Sequence, residues 1–306
     1  MEPVLSIICL TYNHEKYVRD ALDGFLMQQT SFPIEIIVHD DASTDKTQEI
    51  IKEYYSKCPD VIKPILQKEN QKSKGNGIVS KITYNAAKGK YIALCEGDDY
   101  WTDPHKLQKQ VDFLEIHNDY SAIAHQVNVI YSSANKETHL FRDNVPSVIT
   151  INDIIEARYF HTASIVFRTQ VLRNNVDLPQ NIISGDRALY ILLCSNGKIK
   201  FLSDVMGVYR KNEGGISSWV TSDLILKDLN MLEWVKKINA NFPYCRFKSY
   251  IYYTSITYPG KLKFSTFITN YFKYIYYSFC MFPRNIISVI KITLSIPRIF
   301  VTKIFA

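Results

Sequence analysis

Tyr91-Ile92-Ala93-Leu94-Cys95-Glu96-Gly97-Asp98-Asp99 decides how this chain is read. Its first five residues form an apolar run without a polar break, the pattern of a short strand buried in a sheet. Three carboxylates follow at once, on Glu96, Asp98 and Asp99. So much negative charge at the end of a buried strand calls for a counter-ion. A divalent cation with oxygen ligands would neutralise it and could also hold a diphosphate. Gly-Asp-Asp is equally ordinary turn composition, so the rest of the chain has to choose between a metal site and a solvated acidic turn.

Upstream, Leu5 to Leu10 reads as a buried strand, and Glu15 to Gln29 shows helical spacing through Tyr17, Ala21, Leu22, Phe25 and Leu26. Glu35 to His39 reads as a second strand and Thr44 to Lys57 as a second helix. This alternation predicts an α/β fold, a mainly parallel sheet with helices on both faces and ligands at the carboxyl ends of the strands. Thr11-Tyr12-Asn13, Asp40-Asp41 and Glu96 to Asp99 all follow strands in this way. Downstream, Asp103 is expected to cap a helix whose first residue is Pro104 and which continues through Leu107, Val111 and Leu114. Ala122 to Tyr131 and Ala163 to Phe167 read as strands; Ile151 to Ala157, Asp186 to Cys194 and Leu224 to Ile238 read as helices.

Composition narrows the class. The chain has 306 residues, 46% of them hydrophobic, enough for one sizeable core and an appendage. Its six cysteines show neither zinc-ligand spacing nor a disulfide framework, which fits a reducing compartment. Glu2 precedes the apolar stretch Val4 to Leu10 without a basic leader or a small-residue cleavage site, so no secretion signal is expected. From Trp234 onward there are eleven Lys or Arg and no Asp or Glu, leaving the rest of the chain at −5 against an overall +6. An acidic body and a basic, Tyr- and Phe-rich tail face different surroundings. No apolar window in the tail is long enough to span a bilayer, since Lys291, Pro297 and Arg298 interrupt the best candidate. Interfacial helices on an anionic membrane surface are the expectation, with a helical subdomain packed on the body or on a dimer partner as the alternative. Nucleic acid is not an expected partner, because the body is acidic and no recognition module is present.

Four stretches, in order, carry a resemblance: Ser6-Ile7-Ile8-Cys9-Leu10-Thr11-Tyr12-Asn13, Ile37-Val38-His39-Asp40-Asp41-Ala42-Ser43-Thr44-Asp45, Gly89 to Trp101, and Ser184-Gly185-Asp186. Through them the chain resembles family 2 glycosyltransferases of the GT-A fold. The resemblance implies a Rossmann-like, doubly wound mixed sheet over residues 1–222, with a nucleotide-binding half at 1–101 and an acceptor half at 102–222. A helical, basic and aromatic extension would occupy 223–306. The implied activity is metal-dependent, inverting transfer of a sugar from a nucleotide-diphosphate donor to a saccharide or lipid-linked acceptor hydroxyl, at the inner face of the cell membrane. Mn²⁺ or Mg²⁺ is the implied cofactor. A sugar nucleotidyltransferase would need a glycine-rich basic loop after the first strand, and Leu10-Thr11-Tyr12-Asn13-His14-Glu15 has no glycine. An inactive scaffold is the other alternative, with Gly185 and Asn212 as its departures from the family pattern.

The resemblance assigns roles residue by residue. Tyr12 would stack on a nucleobase, with Thr11 and Asn13 beside its edge, and Asp41 would accept from the N–H of a uracil or thymine; Asp40 caps the turn. Glu96 takes the first acidic position of the D-x-D pattern, Gly97 the middle one, and Asp98 the metal-binding one. Asp99 either orients sugar hydroxyls or satisfies backbone donors. Asp186 is the implied general base, a role compatible with capping its helix. Asn212 stands where relatives carry a metal-binding histidine. Arg210 or Lys211 would pair with phosphate, or lie in a solvated turn, while Gly214-Gly215 closes over the donor. Lys72, Lys74 or Lys81 would supply further phosphate contacts. Trp101 is either a floor under a sugar ring or core packing, and His161 either an acceptor contact or a structural histidine.

Overall fold

The computed structural model describes residues 2–75, 77–132, 136–173, 178–212, 220–258 and 262–281. They form two compact units. The first contains the described residues of 1–151, 158–178 and 189–213; the second contains 152–157, 179–188 and the described residues of 214–306.

In the first unit, strands Leu5–Thr11 (β1), Ile34–Asp40 (β2), Ile62–Leu66 (β3) and Tyr91–Leu94 (β4) lie parallel in the order β3-β2-β1-β4. Helices Val18–Leu26 (α1), Thr47–Lys57 (α2) and Ile78–Ala86 (α3) connect them. Nearly every side chain of β1, β2 and β4 is buried, so these strands read as mostly apolar, interrupted only by Ser6, Thr11, Glu35, His39 and Asp40. Their register is pinned at the start by a buried polar cluster. Ser6 Oγ donates to Glu35 Oε1 at 2.6 Å and accepts from Gly89 N at 2.9 Å, and the same Glu35 oxygen accepts from Lys88 N at 2.8 Å. Gly89 is required there, since a Cβ would lie 2.6 Å from Ser6 N and 2.8 Å from the Leu5 backbone.

Beyond β4 the sheet is mixed, as the resemblance implies, whereas the strand–helix alternation alone pointed to a mainly parallel one. Tyr100–Trp101 (β5), Tyr120–Tyr131 (β6), Val166–Arg168 (β9) and Lys198–Lys211 (β10) extend it in the order β4-β9-β6-β10-β5. The β4–β9, β9–β6 and β10–β5 pairs are antiparallel, and β6–β10 is parallel. His139–Leu140 (β7) and Val148–Ile149 (β8) add short antiparallel pairings to β6 and β10.

Three local expectations are corrected. The helix after the acidic loop is Lys106–Ile116 (α4), and its N-cap is His105. Asp103 closes the preceding turn instead, accepting from His105 N at 2.8 Å and pairing with Lys109 at 2.7 Å. The strand expected from Ala163 begins only at Val166, because Thr162–Ser164 is a 3-10 turn. The Ala163 and Ser164 carbonyls accept from Trp101 Nε1 at 2.7 Å and Gln110 Nε2 at 2.9 Å, side-chain bonds that replace ladder partners. The expected helix Leu224 to Ile238 is divided into Ser222–Ile225, a 3-10 segment Leu226–Asn230, and Met231–Ile238. The tighter segment carries Asp228 inward, where Oδ1 accepts from Ile183 N and Ser184 N at 3.0 Å each.

The remaining helices, in chain order, are Ile151–Ile154 (α5), Gln170–Arg173 (α6), Gly185–Ser195 (α7), Ser222–Ile225 (α8), Met231–Ile238 (α9), Tyr244–Thr257 (α10) and Phe264–Phe279 (α11). In the second unit α10 and α11 pack antiparallel around Tyr252, Ile256, Leu262, Phe267 and Tyr274. Buried bonds Ser249–Ser278 at 2.8 Å and Asn270–Ser255 at 3.1 Å fix their register. Among the described residues no helix is long and apolar enough to cross a membrane.

Candidate active site

The parallel strands β1, β2 and β4 deliver three loops to one edge of the sheet. Asp41 N donates to Thr11 O at 3.0 Å and Gly97 N to Leu10 O at 2.9 Å, so the loops after β2 and β4 are both bonded to the end of β1. Asn13 and Ala42 adopt left-handed backbone, with φ of 56° and 63°. Asn13 lies in that region at little cost, and its side chain accepts from Thr44 N at 2.8 Å. Ala42 is held there by Asp40, whose carboxylate accepts from Ser43 N at 2.9 Å and Gln48 Nε2 at 2.7 Å. Thr11, 3% exposed, also donates to Asp40 at 2.9 Å. Thr11 and Asn13 thus hold the loops together, whereas Tyr12 projects from them with 47% of its surface exposed.

Asp41 is buried and already engaged. Its two oxygens accept from Gln71 N at 2.7 Å and Lys72 N at 3.1 Å. Each carboxylate oxygen retains a further lone pair, so this turn does not exhaust its accepting capacity.

The loop after β4 packs without clearance. A Cβ on Gly97 would lie 2.5 Å from Thr11 Cγ2 and 3.0 Å from His14 Nδ1. Asp99, 1% exposed, accepts from Arg210 N at 2.8 Å, and its other oxygen stands 3.4 Å from His161 Nδ1. Glu96, Asp99 and His161 each bring one ligand-type atom into a group spanning no more than 4.8 Å. Burial, reinforced by Asp98, pushes the Glu96 carboxyl up to about 6. Burial beside Glu96 and Asp98 raises Asp99 well above the ordinary range. Burial holds His161 and His14 below the usual imidazole value, favouring their neutral forms. Glu96 Oε2 is buried with no hydrogen-bond partner among the described residues. An orphaned buried carboxylate oxygen, raised acids and a neutral histidine together fit a divalent cation.

Asp98 is the more open member of the loop, its side chain 26% exposed. His14 Nε2 lies 4.0 Å from its carboxylate, and Asn212 Nδ2 donates to it at 3.1 Å. Asn212 Oδ1 accepts from Ser132 Oγ at 2.7 Å, so the amide faces Asp98 with its nitrogen. Arg210 braces the same loop. Its guanidinium donates to Asp98 O at 3.1 Å, pairs with Asp20, and lies 4.4 Å over the Tyr100 ring. Arg210, offered with Lys211 as a phosphate contact or as part of a solvated turn, makes these contacts within the protein.

Trp101 and His161 fall on the structural side of the two readings offered for each. Trp101 is 2% exposed, with Phe25 at 4.8 Å between ring centroids and Lys106 Nζ 3.9 Å over the indole. It is a core residue, with no face open to a sugar. His161, 5% exposed, stacks on Tyr209 with centroids 3.9 Å apart, and its Nδ1 accepts from Ala163 N at 3.3 Å. Asp186 belongs to the second unit, in the first turn of α7, where Oδ1 accepts from Arg187 N at 2.8 Å. Arg187 in turn reaches Ile155 O at 2.8 Å and lies 4.7 Å over the Tyr250 ring. Gly214-Gly215 lie outside the described residues. His14, Asp20 and Ser132 escaped the sequence reading. Only His14, close behind the end of β1, carried a positional signal.

The description Glycosyl transferase family 2 matches residues 6–176, a span holding all three strand ends and the whole acidic loop. The chain belongs to this family. An uncharacterized protein of Mycobacterium tuberculosis is 40% identical over 212 residues, covering 69% of this chain and 60% of that protein. The chain therefore spans about 60% of the length of that relative. The fold of this family 2 glycosyltransferase is GT-A. It superposes with a TM-score of 0.64 on a crystal structure of Staphylococcus aureus TarS (residues 1–349) in complex with UDP-GlcNAc, at 22% identity, covering 90% of this chain and 81% of that one. The mannosyltransferase PcManGT from Pyrobaculum calidifontis, in complex with GDP-Man and Mn²⁺, gives a TM-score of 0.58 at 16% identity, covering 89% and 74%.

Proposed function

We propose that this family 2 glycosyltransferase moves a sugar from a nucleotide-diphosphate donor, a uridine or thymidine one, to a hydroxyl of a saccharide or lipid-linked acceptor in cell-surface polysaccharide assembly. The observation that carries the reading is the loop Glu96-Gly97-Asp98-Asp99 at the carboxyl ends of parallel strands, with its unpartnered Glu96 oxygen and the exposed Tyr12 ring on a neighbouring strand end. Relatives crystallised with UDP-GlcNAc or with GDP-Man and Mn²⁺ support a nucleotide-sugar donor and a metal for this chain as well.

In this reading Tyr12 stacks on the base, and Asp41 accepts from its N–H with the lone pairs that Gln71 and Lys72 leave free. Asp98, with Glu96, Asp99 and His161 behind it, would hold Mn²⁺ or Mg²⁺; Asn212 would join as an oxygen ligand if its amide turns over. Such an ion, when bound, supplies Lewis-acid stabilisation to the departing diphosphate. Arg210 fixes the loop by gripping Asp98 O. Asp186 accepts the proton of the acceptor hydroxyl as that oxygen bonds to the anomeric carbon and the carbon–oxygen bond to diphosphate breaks. Attack from the opposite face inverts the anomeric centre. The basic, aromatic C-terminal helices would keep the enzyme at an anionic membrane surface on the cytoplasmic side, where a lipid-linked acceptor is met in two dimensions.

The test is a panel of nucleotide sugars incubated with the full chain and Mn²⁺, read as slow donor hydrolysis. One uridine or thymidine donor should be consumed, and both chelator and Asp98→Asn should lower the rate about a hundredfold. A signal that survives both would overturn the metal assignment, and absence of turnover with every donor would overturn the function.

A further inference from the structure

The helix α11, Phe264–Phe279, is aromatic on both sides. Its inner side packs Phe267 and Tyr274 against α10, together with Asn270 and Ser278. On the side away from that contact stand Phe272 at 65% exposure, Tyr276 at 65% and Phe279 at 57%. At 3.6 residues per turn these three fall within about 60° of arc, forming one stripe along the helix. Exposed Ser265 and Thr269 share this face nearer the N-terminus, so the aromatic stripe is confined to the last part of the helix, and three large exposed rings side by side there mark a contact surface.

Charge selects the cover. Lys263 at the helix N-cap and Lys273 beside the stripe are both exposed. Neither α10 nor α11 contains an acidic residue, and the sequence from 282 to 306 adds Arg284, Lys291, Arg298 and Lys303 with no Asp or Glu. A second copy meeting this one through the same face would set like charge against like. An anionic bilayer surface matches both features, taking aromatic rings at headgroup depth and basic side chains at the phosphates.

We propose that Phe272, Tyr276 and Phe279 form the contact by which this protein lies on an anionic lipid surface, with Lys273 and Lys263 at its edge. The inference deepens the functional reading above by naming the membrane-binding face, and it rests on that reading only for its biological purpose. The experiment is co-sedimentation of the full chain with vesicles of phosphatidylcholine alone or mixed with phosphatidylglycerol. The protein should pellet with the mixed vesicles only. The triple variant F272S/Y276S/F279S should bind them at least about tenfold more weakly, and Lys273→Gln about fivefold. The replaced rings are more than half exposed, so circular dichroism and melting temperature should match the parent and separate lost contact from lost fold. Binding that is unchanged in the triple variant, or equal on both vesicle types, would overturn the proposal. So would an equilibrium-sedimentation dimer that the variant abolishes while the parent ignores vesicles. Donor hydrolysis measured in the same samples without lipid keeps the two readings apart: intact hydrolysis with no vesicle binding sinks only the stripe, and the reverse sinks only the sugar transfer.

Discussion

Lys106 is the most exacting test of the packing under the acidic loop. It is fully buried, donates to Gln110 Oε1 at 2.7 Å, and faces the Trp101 ring at 3.9 Å, with no carboxylate bonded to it among the described residues. Burial pushes its ammonium down from 10.5 to about 7. An unfolded chain restores the ordinary value of about 10.4, so between the two values the unfolded state binds more protons and stability rises with pH. The cost of burying the charge is fully present below pH 7 and fades as pH climbs toward the unfolded value. Between about pH 7 and about pH 9 the recovery is about 2 kcal/mol, because each unit is worth about 1.4 kcal/mol and the group is half deprotonated at the start. Lys106→Met removes the titration while Gln110 Nε2 keeps its bonds to Ile123 O and Ser164 O. Urea unfolding of both proteins across that window cancels every shared titration. The stability of the parent relative to the variant should rise by about 2 kcal/mol, and two parallel curves would refute the account.

Gly97→Ala forces a Cβ to 2.5 Å from Thr11 Cγ2, an overpacking cost of about 1–3 kcal/mol. Thermal melting should register that cost, and donor hydrolysis should fall further than the lost folded fraction, since the carboxylate loop must shift. Arg210→Lys keeps the charge but not the planar fork that reaches Asp98 O and Asp20 while stacked on Tyr100. A drop of about tenfold in kcat with little change in melting temperature is expected, and an unchanged kcat would show that Arg210 does not position the loop. Ser6→Ala strips Gly89 N and Glu35 of a buried partner and should cost about 1–3 kcal/mol in denaturant unfolding. A loss near zero would mean that the cluster does not pin the strand starts.

The strands that position the site were legible because they are buried on both faces, which leaves an unbroken apolar run, and because their loops carry the polar residues. Tyr91 to Leu94 is such a run, and Ile7 to Leu10 and Ile36 to Val38 are the apolar stretches of the other two, preceded by Ser6 and Glu35, which satisfy each other. The antiparallel continuation was harder to read. Val166–Arg168 starts late because side chains of Trp101 and Gln110, distant in sequence, take the carbonyls before it. Tertiary hydrogen bonds of that kind leave no local pattern. Arg210 reads as a basic turn until Asp20, 190 positions earlier, is found beside it. Trp101 illustrates the limit of residue type as evidence, since an indole suits a sugar and a core equally well. Asp41 was found from its place after β2, while its bonds to Gln71 and Lys72 depend on how the following loop returns.

The way the backbone passes between its two units constrains how the molecule can be dissected. The second unit draws on 152–157, 179–188 and residues from 214 on, so the polypeptide crosses over five times and no single cut yields two intact pieces. Asp228 secures the amides of Ile183 and Ser184, just ahead of Asp186, while Arg246 grips Glu156. Shortening the gene from its 3′ end would therefore strip support from the turn presenting the proposed base, and an inert truncated product would say nothing about lipids. Domain exchange with relatives has to carry all three segments together.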